Sequence, residues 1–178
     1  MTEDRVERFR ALYDEAYPRV MAYVMRRART RDDVEDVVSE VFTTAWRRLD
    51  DLPDAPLPWV FGVARRTLAN HYRALDRKRR LQRRVEAEPD TDPGEFDAVH
   101  QALDGLRPDD REILTLNAWD DLESPEIAVV LGIPATTAAV RLHRAKKRFA
   151  RELEKTVKSE GAIRTPHEVK GHSEEVTE

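Results

Sequence analysis

The chain has 178 residues, enough for one ordinary domain or two small ones. Hydrophobic residues make up 40% and charged residues 37%, a charge content that fits small helical units with a large surface-to-volume ratio. The sequence contains no cysteine, which excludes disulfides, thiolate nucleophiles and cysteine-based zinc sites. It has no apolar run of about 18 residues, and its charged start lacks an apolar signal core, so we expect no membrane insertion and a cytoplasmic location.

The net charge of −4 conceals an uneven distribution of charges along the chain. Residues 58–84 carry nine Arg or Lys residues against one acid, and residues 127–158 carry eight against two. Residues 30–57 and 85–126 are acidic, the latter with fourteen acids against two bases. Because local potential governs association with phosphate, the two basic blocks indicate a nucleic acid as partner. The alternative is that these blocks are solvated helix faces that happen to be basic.

Apolar residues recur with helical spacing in the first half of the chain, and no segment alternates as a strand would. One stripe runs from Phe9 to Val24, with a predicted break at Pro18. A second stripe runs from Val34 to Leu49 behind an acidic first turn. The proline-rich segment Asp50–Pro58 is predicted to be a loop, and a helix resumes after it and runs to about residue 80.

The second half divides into a linker, a second helical unit and a tail. Residues 85–95 lose the periodicity and form an acidic linker, which we expect to be flexible. Periodicity returns over residues 96–155, and residues 156–178 are predicted to be disordered. The sequence therefore predicts an all-α fold of two small helical domains, residues 6–84 and 96–155, joined by a flexible linker.

The second domain contains a predicted helix-turn-helix. Ser124 and Pro125 are typical of a helix start, and Gly132–Pro134 turns the chain before a helix over about residues 135–153. In this motif the second helix enters the major groove of DNA. The alternative is a helical hairpin with a soluble basic face. The predicted outward face carries Thr137, Arg141, Arg144, Arg148 and Arg151.

The first domain mixes aromatic residues with arginines directly after the proline-rich loop. Such a mixture can stack on unpaired bases while the cations follow the phosphate backbone. The alternative, which we favour for Trp59 and Phe61, is that these aromatic side chains belong to the core. The mixed segment holds Trp59, Phe61, His71 and Tyr72 among Arg65, Arg66, Arg73 and Arg77.

Other patterns give no sign of catalysis. The acids at residues 32–36 are better explained by the helix dipole than by a metal, because adjacent acids on a helix point in different directions. The five histidines show no ligand spacing with one another, and no phosphate-binding glycine loop or nucleophile motif occurs. We therefore expect neither enzyme activity nor a metal or cofactor.

Several motifs, in consistent order and spacing, resemble the extracytoplasmic-function (ECF) sigma factors over roughly residues 9–155. The segments that resemble region 2 of that family are Phe9–Arg19, Asp36–Leu49 and Pro58–Arg65. The segments that resemble region 4 are Leu106–Leu114, Ser124–Ala128, Leu131–Ile133 and Arg141–Lys146.

The resemblance implies a dissociable subunit that directs bacterial core RNA polymerase to promoters. The helices around Leu106–Leu116 would meet the second-largest polymerase subunit, and an anti-sigma factor is an expected further partner. The helix Asp36–Leu49 would dock on the largest subunit, with contacts from Asp36, Val37, Glu40, Val41, Thr44 and Trp46.

The resemblance also implies two DNA contacts. The segment after the second helix would recognise and open the minus-10 region through Leu52, Pro53, Trp59, Arg65, Arg66, Asn70, Arg73 and Arg77. The helix Ala135–Phe149 would read the minus-35 element as duplex through Thr136, Thr137, Arg141, His143, Arg144, Lys147 and Arg148. Two places depart from the family pattern: Arg66 replaces a usual asparagine, and Ala138–Val140 replace residues that are often polar or basic.

The alternative function is a self-standing helix-turn-helix regulator that binds an operator by itself. Such regulators usually dimerise and carry a sensor domain, and the sequence shows neither heptads nor a ligand-binding domain.

Promoter opening requires unstacking of bases, at a few kcal/mol per step, and their capture as a single strand. A stiff loop beside a basic, aromatic-bearing helix suits that task, so the sigma-factor interpretation is preferred.

Overall fold

The computed structural model describes residues 2–82 and 98–163. Within these ranges the chain forms seven α-helices and one 3₁₀ turn and contains no strand, which confirms the all-α prediction. The predicted linker, residues 85–95, lies outside the described residues. The helices are α1 (Thr2–Met25), α2 (Arg31–Arg47), α3 (Pro56–Gln82), α4 (Ala98–Asp104), α5 (Pro108–Ala118), α6 (Ser124–Leu131) and α7 (Ala135–Ile163), with the 3₁₀ turn at Leu49–Asp51.

Helix α1 is continuous through Pro18, so the predicted break there is wrong. Proline removes one backbone hydrogen bond and normally kinks or ends a helix. Here Ala16 and Val20, on either side of it, are fully buried in the core. Burial of the same helix face before and after Pro18 therefore stabilises the helical path across it.

The first three helices pack around one apolar core. Val37 and Val41 of α2 are at most 1% exposed, as are Val60 and Phe61 of α3. Phe61 is therefore a core residue, as the alternative interpretation of the aromatic segment held. Trp59 is half-buried and packs against the same core. Helix α3 begins at Pro56, three residues earlier than predicted, so the end of the predicted loop is helical.

Asp33 closes the N-terminus of α2 and ties it to α3. Thr30 Oγ1 accepts a hydrogen bond from the Asp33 amide, and the Asp33 carboxylate accepts one from the Thr30 amide, both at 3.1 Å. His71 Nε2 lies 2.6 Å from Asp33 Oδ1, and the Tyr72 hydroxyl donates to Asp33 Oδ2 at 3.3 Å. The acid therefore caps one helix and holds the side chains of another.

The second domain consists of α4 to α7 and buries the apolar residues of α5 among them. Ile113 and Leu116 are at most 1% exposed, and Leu106 and Leu114 are also buried. These four side chains stabilise the domain, and the expected contact of this segment with the second-largest polymerase subunit stays a prediction. Helix α7 runs to Ile163, so residues 156–163 of the predicted disordered tail are helical. Residues 164–178 lie outside the described residues.

The two domains contact each other through α3 and α6. A Cβ added to Gly62 of α3 would lie 3.6 Å from the carbonyl oxygen of Val130 and 3.7 Å from that of Val129. Both distances are ordinary van der Waals contacts, so the α3 backbone lies against the end of α6 without leaving a gap. Buried residues of both domains consequently form one continuous core.

The pKa of Asp33 makes its contribution to stability dependent on pH. Burial opposes ionisation of this carboxyl, but the hydrogen bonds from His71 and Thr30 outweigh it and lower the pKa below its ordinary 3.8. Since the folded-state pKa is depressed, the stabilisation is complete above about pH 4 and is lost as the pH falls through the folded value.

We expect Asp33→Ala to lower the free energy of unfolding by about 1–2 kcal/mol at pH 7, because the carboxylate half of the capping box and its contacts with His71 and Tyr72 are lost. Urea unfolding of both proteins between pH 7 and pH 3 should show this difference shrinking at the acid end. Asp32→Ala, at an exposed position in the same first turn, is the control and should change stability by only about 0.3–1 kcal/mol. A difference that stays constant over this pH range would contradict the assigned role of the carboxylate.

Candidate nucleic-acid and polymerase interfaces

The helix-turn-helix is formed by α6 and α7, which meet at a bend of 106°. Helix α6 begins with a capping box in which Glu123 is the N-cap and Glu126 its partner. The cap lies one residue before Ser124, which was the predicted cap. At the other end, Gly132 adopts φ 66° and ψ 39° and the Ile133 amide donates to the Ala128 carbonyl at 3.0 Å. This left-handed turn ends α6 and directs the chain into α7.

The predicted minus-35 residues share an exposed face of α7. The opposite face carries Ala138, Leu142 and Ala145, which are buried against the domain. Ala138 therefore has a packing role, which accounts for a small apolar residue near the start of this helix. Thr137 is half-buried, whereas the exposed residues are Thr136, Arg141, His143, Arg144, Lys147 and Arg148.

One of these residues is held by an acid of its own domain. The Arg148 guanidinium donates to Asp110 Oδ1 at 2.8 Å and to Oδ2 at 2.5 Å. Asp110 is itself buried at the start of α5. Arg148 is therefore positioned by an ion pair, whereas no ion pair of Arg141 or Arg144 occurs among the described residues.

The predicted minus-10 residues form an exposed stripe along α3. Arg66, Asn70, Arg73 and Arg77 lie at intervals of three or four residues and are all exposed. Arg73 donates a hydrogen bond to Asn70 Oδ1 at 2.6 Å, which fixes both side chains on this face. Among the loop residues, Pro53 is exposed and Leu52 is half-buried.

Arg65 lies off this stripe and faces the second domain. Its Nε and Nη2 donate to the two carboxylate oxygens of Glu112 at 2.8 and 3.1 Å. The hydrogen bonds to Glu112 outweigh burial and raise the pKa of Arg65 above its ordinary value. In this structure the guanidinium is therefore engaged by Glu112 of α5, although 39% of the Arg65 side chain remains exposed.

The predicted polymerase contacts fall into two groups. Asp36, Glu40 and Trp46 are exposed on α2, and Thr44 is half-buried. Val37 and Val41 were predicted as contacts, but the structure buries them in the core. The motif therefore contains residues that face the core as well as exposed ones.

An aromatic groove between α1 and α2 lies beside these exposed residues and was missed in the sequence. It measures about 520 Å³ and is walled by Phe9, Tyr13 and Tyr17 of α1. Phe9 meets Trp46 edge to face at a centroid distance of 5.1 Å, and Tyr13 stacks on Tyr17 at 4.8 Å. The periodic apolar stripe of α1 contains these rings, but periodicity does not distinguish fully buried rings from rings that line a groove.

Arg5 of α1 positions Trp46 at one end of this groove. Its guanidinium lies 5.1 Å from the centre of the indole ring and donates to the Trp46 carbonyl at 2.9 Å. Arg5 also pairs with Asp50 in the following 3₁₀ turn. Trp46 is therefore held in place although 38% of its surface is exposed.

Two family models match the two domains in this order. The model described as Sigma-70 region 2 matches residues 12–78, and the one described as Sigma-70, region 4 matches residues 96–149. RNA polymerase sigma factor NccH of Alcaligenes xylosoxydans xylosoxydans is 30% identical over 136 residues, 66% of this chain and 71% of that protein. ECF RNA polymerase sigma factor SigL of Mycobacterium tuberculosis is 29% identical over 146 residues, 75% of this chain and 82% of that protein.

Solved structures show the same architecture. The sigma factor RpoE of Bartonella quintana, crystallised with the anti-sigma factor NepR, superposes with a TM-score of 0.63 at 21% identity, over 82% of this chain and 96% of that one. CnrH of Cupriavidus metallidurans, solved with the cytosolic domain of CnrY, gives 0.58 at 25% identity, over 82% and 87%. The chain belongs to the sigma-70 family and is an RNA polymerase sigma factor of ECF type, a non-enzymatic initiation factor.

No single helix among the described residues is long and apolar enough to cross a membrane. Only α6 and α7 taken together, across their 106° bend, reach the required length and composition.

The turn of the helix-turn-helix depends on the conformation of Gly132. A Cβ at this position would meet no atom within 4 Å, so a substitution introduces backbone strain without a clash. We expect Gly132→Ala to lower the free energy of unfolding by about 1–2 kcal/mol, the penalty of the left-handed conformation for an L-residue. Chemical denaturation of the full chain measures this change.

Gly105→Ala is the matched control, in the turn between α4 and α5. Gly105 does not have a positive φ, and its added Cβ would make ordinary contacts of 3.5 Å or more. We expect this variant to be neutral or more stable by up to about 1 kcal/mol. Equal destabilisation by the two variants would show that the conformation of Gly132 is not what the turn requires.

Proposed function

We propose that this sigma factor binds core RNA polymerase, recognises minus-35 and minus-10 promoter elements and drives promoter opening. The observation that carries the proposal is the presence of two separate exposed basic faces, on α7 and α3, in one chain with an exposed docking helix. A self-standing regulator needs only the first of these three surfaces. The family membership and the order of the two domains support the same function.

The face of α7 suits duplex recognition. Arginines near the start of the second helix of such a motif can reach guanine edges in the major groove. Arg141 and Arg144 are exposed there, one turn apart. Lys147 and Arg148, farther along, are placed to meet phosphates, which hold the helix in register.

The stripe on α3 suits a separated strand. Arg66, Arg73 and Arg77 provide cations that can follow a phosphate backbone, and Asn70 lies between them as a hydrogen-bonding group. Trp59, half-buried at the start of the helix, has an aromatic ring on which a base can stack. Capture of unstacked bases on this stripe offsets the free energy that opening requires.

Docking on core polymerase is assigned to α2 and the groove beside it. Asp36 and Glu40 supply an acidic rim, and Trp46 with the rings of the aromatic groove supplies an apolar centre. Interfaces commonly combine such an aromatic anchor with a charged rim. The largest polymerase subunit is the proposed partner of this surface.

An anti-sigma factor is a further proposed partner. RpoE of Bartonella quintana was crystallised with the anti-sigma factor NepR, and CnrH was solved with the cytosolic domain of CnrY. We transfer this kind of partner to the present chain, and we place its action in the cytoplasm with the polymerase.

Runoff transcription tests the function directly. Purified chain mixed with core RNA polymerase should give promoter-dependent transcripts that neither component gives alone. Specific duplex binding by the isolated chain at physiological salt, without polymerase-dependent transcripts, would instead establish the regulator.

Glu40→Lys tests the docking surface. Reversal of this exposed charge should weaken binding to core polymerase about tenfold, which corresponds to about 1.4 kcal/mol. Fluorescence anisotropy of labelled sigma factor titrated with core measures the change, and circular dichroism should show unchanged helicity. Glu15→Lys makes the same charge change at an exposed position of α1 that does not line the groove. Undiminished binding of Glu40→Lys would refute this docking face.

Arg141→Ala and Arg66→Ala test the division of labour between the two basic faces. Arg141→Ala should weaken promoter binding by about 1–3 kcal/mol if it reads a base, and should relax specificity only at the upstream element. Arg66→Ala should spare initial duplex binding but reduce opening, measured as permanganate-reactive thymines near the start site. Arg151→Ala, exposed farther along α7, is the control for loss of a positive charge.

A template mismatched across the minus-10 region separates the two defects. On this pre-opened template the Arg66→Ala defect should largely disappear, because opening is no longer required. The Arg141→Ala defect should persist. Identical behaviour of both variants on duplex and pre-opened templates would show that the division is wrong.

A further inference from the structure

One apolar side chain lies exposed among the polar and basic residues of α7, and the proposed function does not use it. Val140 is 49% exposed, whereas Ala138, Leu142 and Ala145 of the same helix are at most 7% exposed. Phe149, farther along, is half-buried and packs against the same core. Val140 is therefore not part of the apolar stripe that holds α7 in the domain.

Val140 lies on the opposite side of the helix from that stripe. Successive residues of an α-helix are rotated by about 100°, so Val140 lies about 160° from Ala138 and Leu142 and about 140° from Ala145. Its side chain consequently points away from the domain, at the centre of the outward face. Arg141, by contrast, lies only about 60° from Ala138, at the flank of this face.

The neighbours of Val140 on the outward face are polar or basic. Thr136 and Arg144 lie one turn before and one turn after it, and all three residues are exposed in one line along the helix. His143 and Lys147 are exposed beside this line. Such a surface attracts phosphates and the hydrogen-bonding edges of bases, and it has an apolar group at its centre.

If the proposed function is correct, this outward face meets the major groove of the minus-35 duplex. Val140 is the sixth residue of α7, in the N-terminal part of the helix, which contacts base edges in a helix-turn-helix. The C5-methyl group of thymine is the apolar group that base pairs present in the major groove. We propose that Val140 packs against this methyl group and thereby selects a thymine in the minus-35 element.

The chemistry of valine suits this contact. Its branched side chain has one strongly preferred rotamer in a helix, so little conformational freedom is lost when it packs against a base. It neither donates nor accepts a hydrogen bond, so a polar base edge placed against it loses water without gaining a partner. Selection of thymine by Val140 therefore has two causes, the gain of an apolar contact and the penalty for a polar group at the same place.

Val157 provides a comparison on the same helix. It is 55% exposed, so it resembles Val140 in residue type and in exposure. It lies about 25 Å farther along the helix axis, at about 1.5 Å per residue, whereas the major groove is only about 12 Å wide. A duplex that receives the start of α7 therefore leaves Val157 outside the groove.

Replacement of thymine by deoxyuridine removes the methyl group and keeps every hydrogen-bonding group of the base. The reconstituted holoenzyme first selects its minus-35 element from duplexes of random sequence. Each thymine of that element is then replaced singly, and fluorescence anisotropy at one fixed salt concentration measures the affinity of the holoenzyme for each duplex. One replacement should weaken binding about fourfold, the effect of losing one buried methyl group.

Val140→Ala removes the protein side of the same contact. Its holoenzyme should bind the thymine duplex at least about threefold more weakly. Deoxyuridine at the sensitive position should then cause little further loss, because both changes remove one interaction. Val157→Ala is the matched control, and its holoenzyme should bind like the wild type and keep the full penalty for deoxyuridine. Circular dichroism should show unchanged helicity for both variants.

The inference is overturned if the selected element contains no thymine, if every deoxyuridine is tolerated, or if the penalty is the same in Val140→Ala as in the wild type. The inference rests on the proposed function, but the two fail separately. Promoter-dependent transcripts from the selected duplexes, together with tolerance of every deoxyuridine, would keep the function and remove the role of Val140. A holoenzyme that selects no duplex would remove both.

Discussion

The burial of the first half of α3 is the constraint on which the rest of the structure depends. Val60, Phe61 and Ala64 are fully buried against the core, while Gly62 lies against the end of α6 on another side. Each fully buried large apolar side chain contributes about 1.5–3 kcal/mol, so this half of the helix is firmly fixed. The second half projects from that anchor and is free to present Asn70 and Arg73 to solvent.

The alternation of acidic and basic blocks along the chain serves folding as well as binding. Three acids of the acidic block, Asp110, Glu112 and Asp120, pair with an arginine of α7, an arginine of α3 and Arg26, which directly follows α1. The arginines therefore differ in whether an acid of the same chain lies close enough to pair with them. Arg65 faces another helix and is paired within the chain, whereas Arg141 and Arg144 lie on an outward face, have no ion pair among the described residues and are available to phosphate. Arg148 is exposed on the same face but pairs with Asp110.

Helical periodicity was enough to predict the fold class and the positions of most helices, because every helix buries an apolar stripe. It failed at Pro18 since tertiary packing on both sides of a proline can outweigh one lost hydrogen bond. At Val37 and Val41 the periodicity was right, since both belong to the apolar stripe that the structure buries, and it was the resemblance that assigned them as polymerase contacts. The pair between Arg65 and Glu112 joins residues 47 positions apart, and no local pattern reports such a contact.

The binding faces share one further property, which is that partners within the chain hold their side chains or backbones in place. Asp33 holds His71 and Tyr72, which immediately follow Asn70 on α3. Asp110 holds Arg148 on α7, and Arg5 holds Trp46 on α2. Ordering a long side chain on binding costs about 0.5–1.5 kcal/mol, so a face that is ordered beforehand retains more of its interaction free energy. Under the proposed function, residues beneath these faces contribute to recognition without touching DNA or polymerase. Asp33 of α2 is one of them, because it orders the part of α3 that carries the exposed stripe.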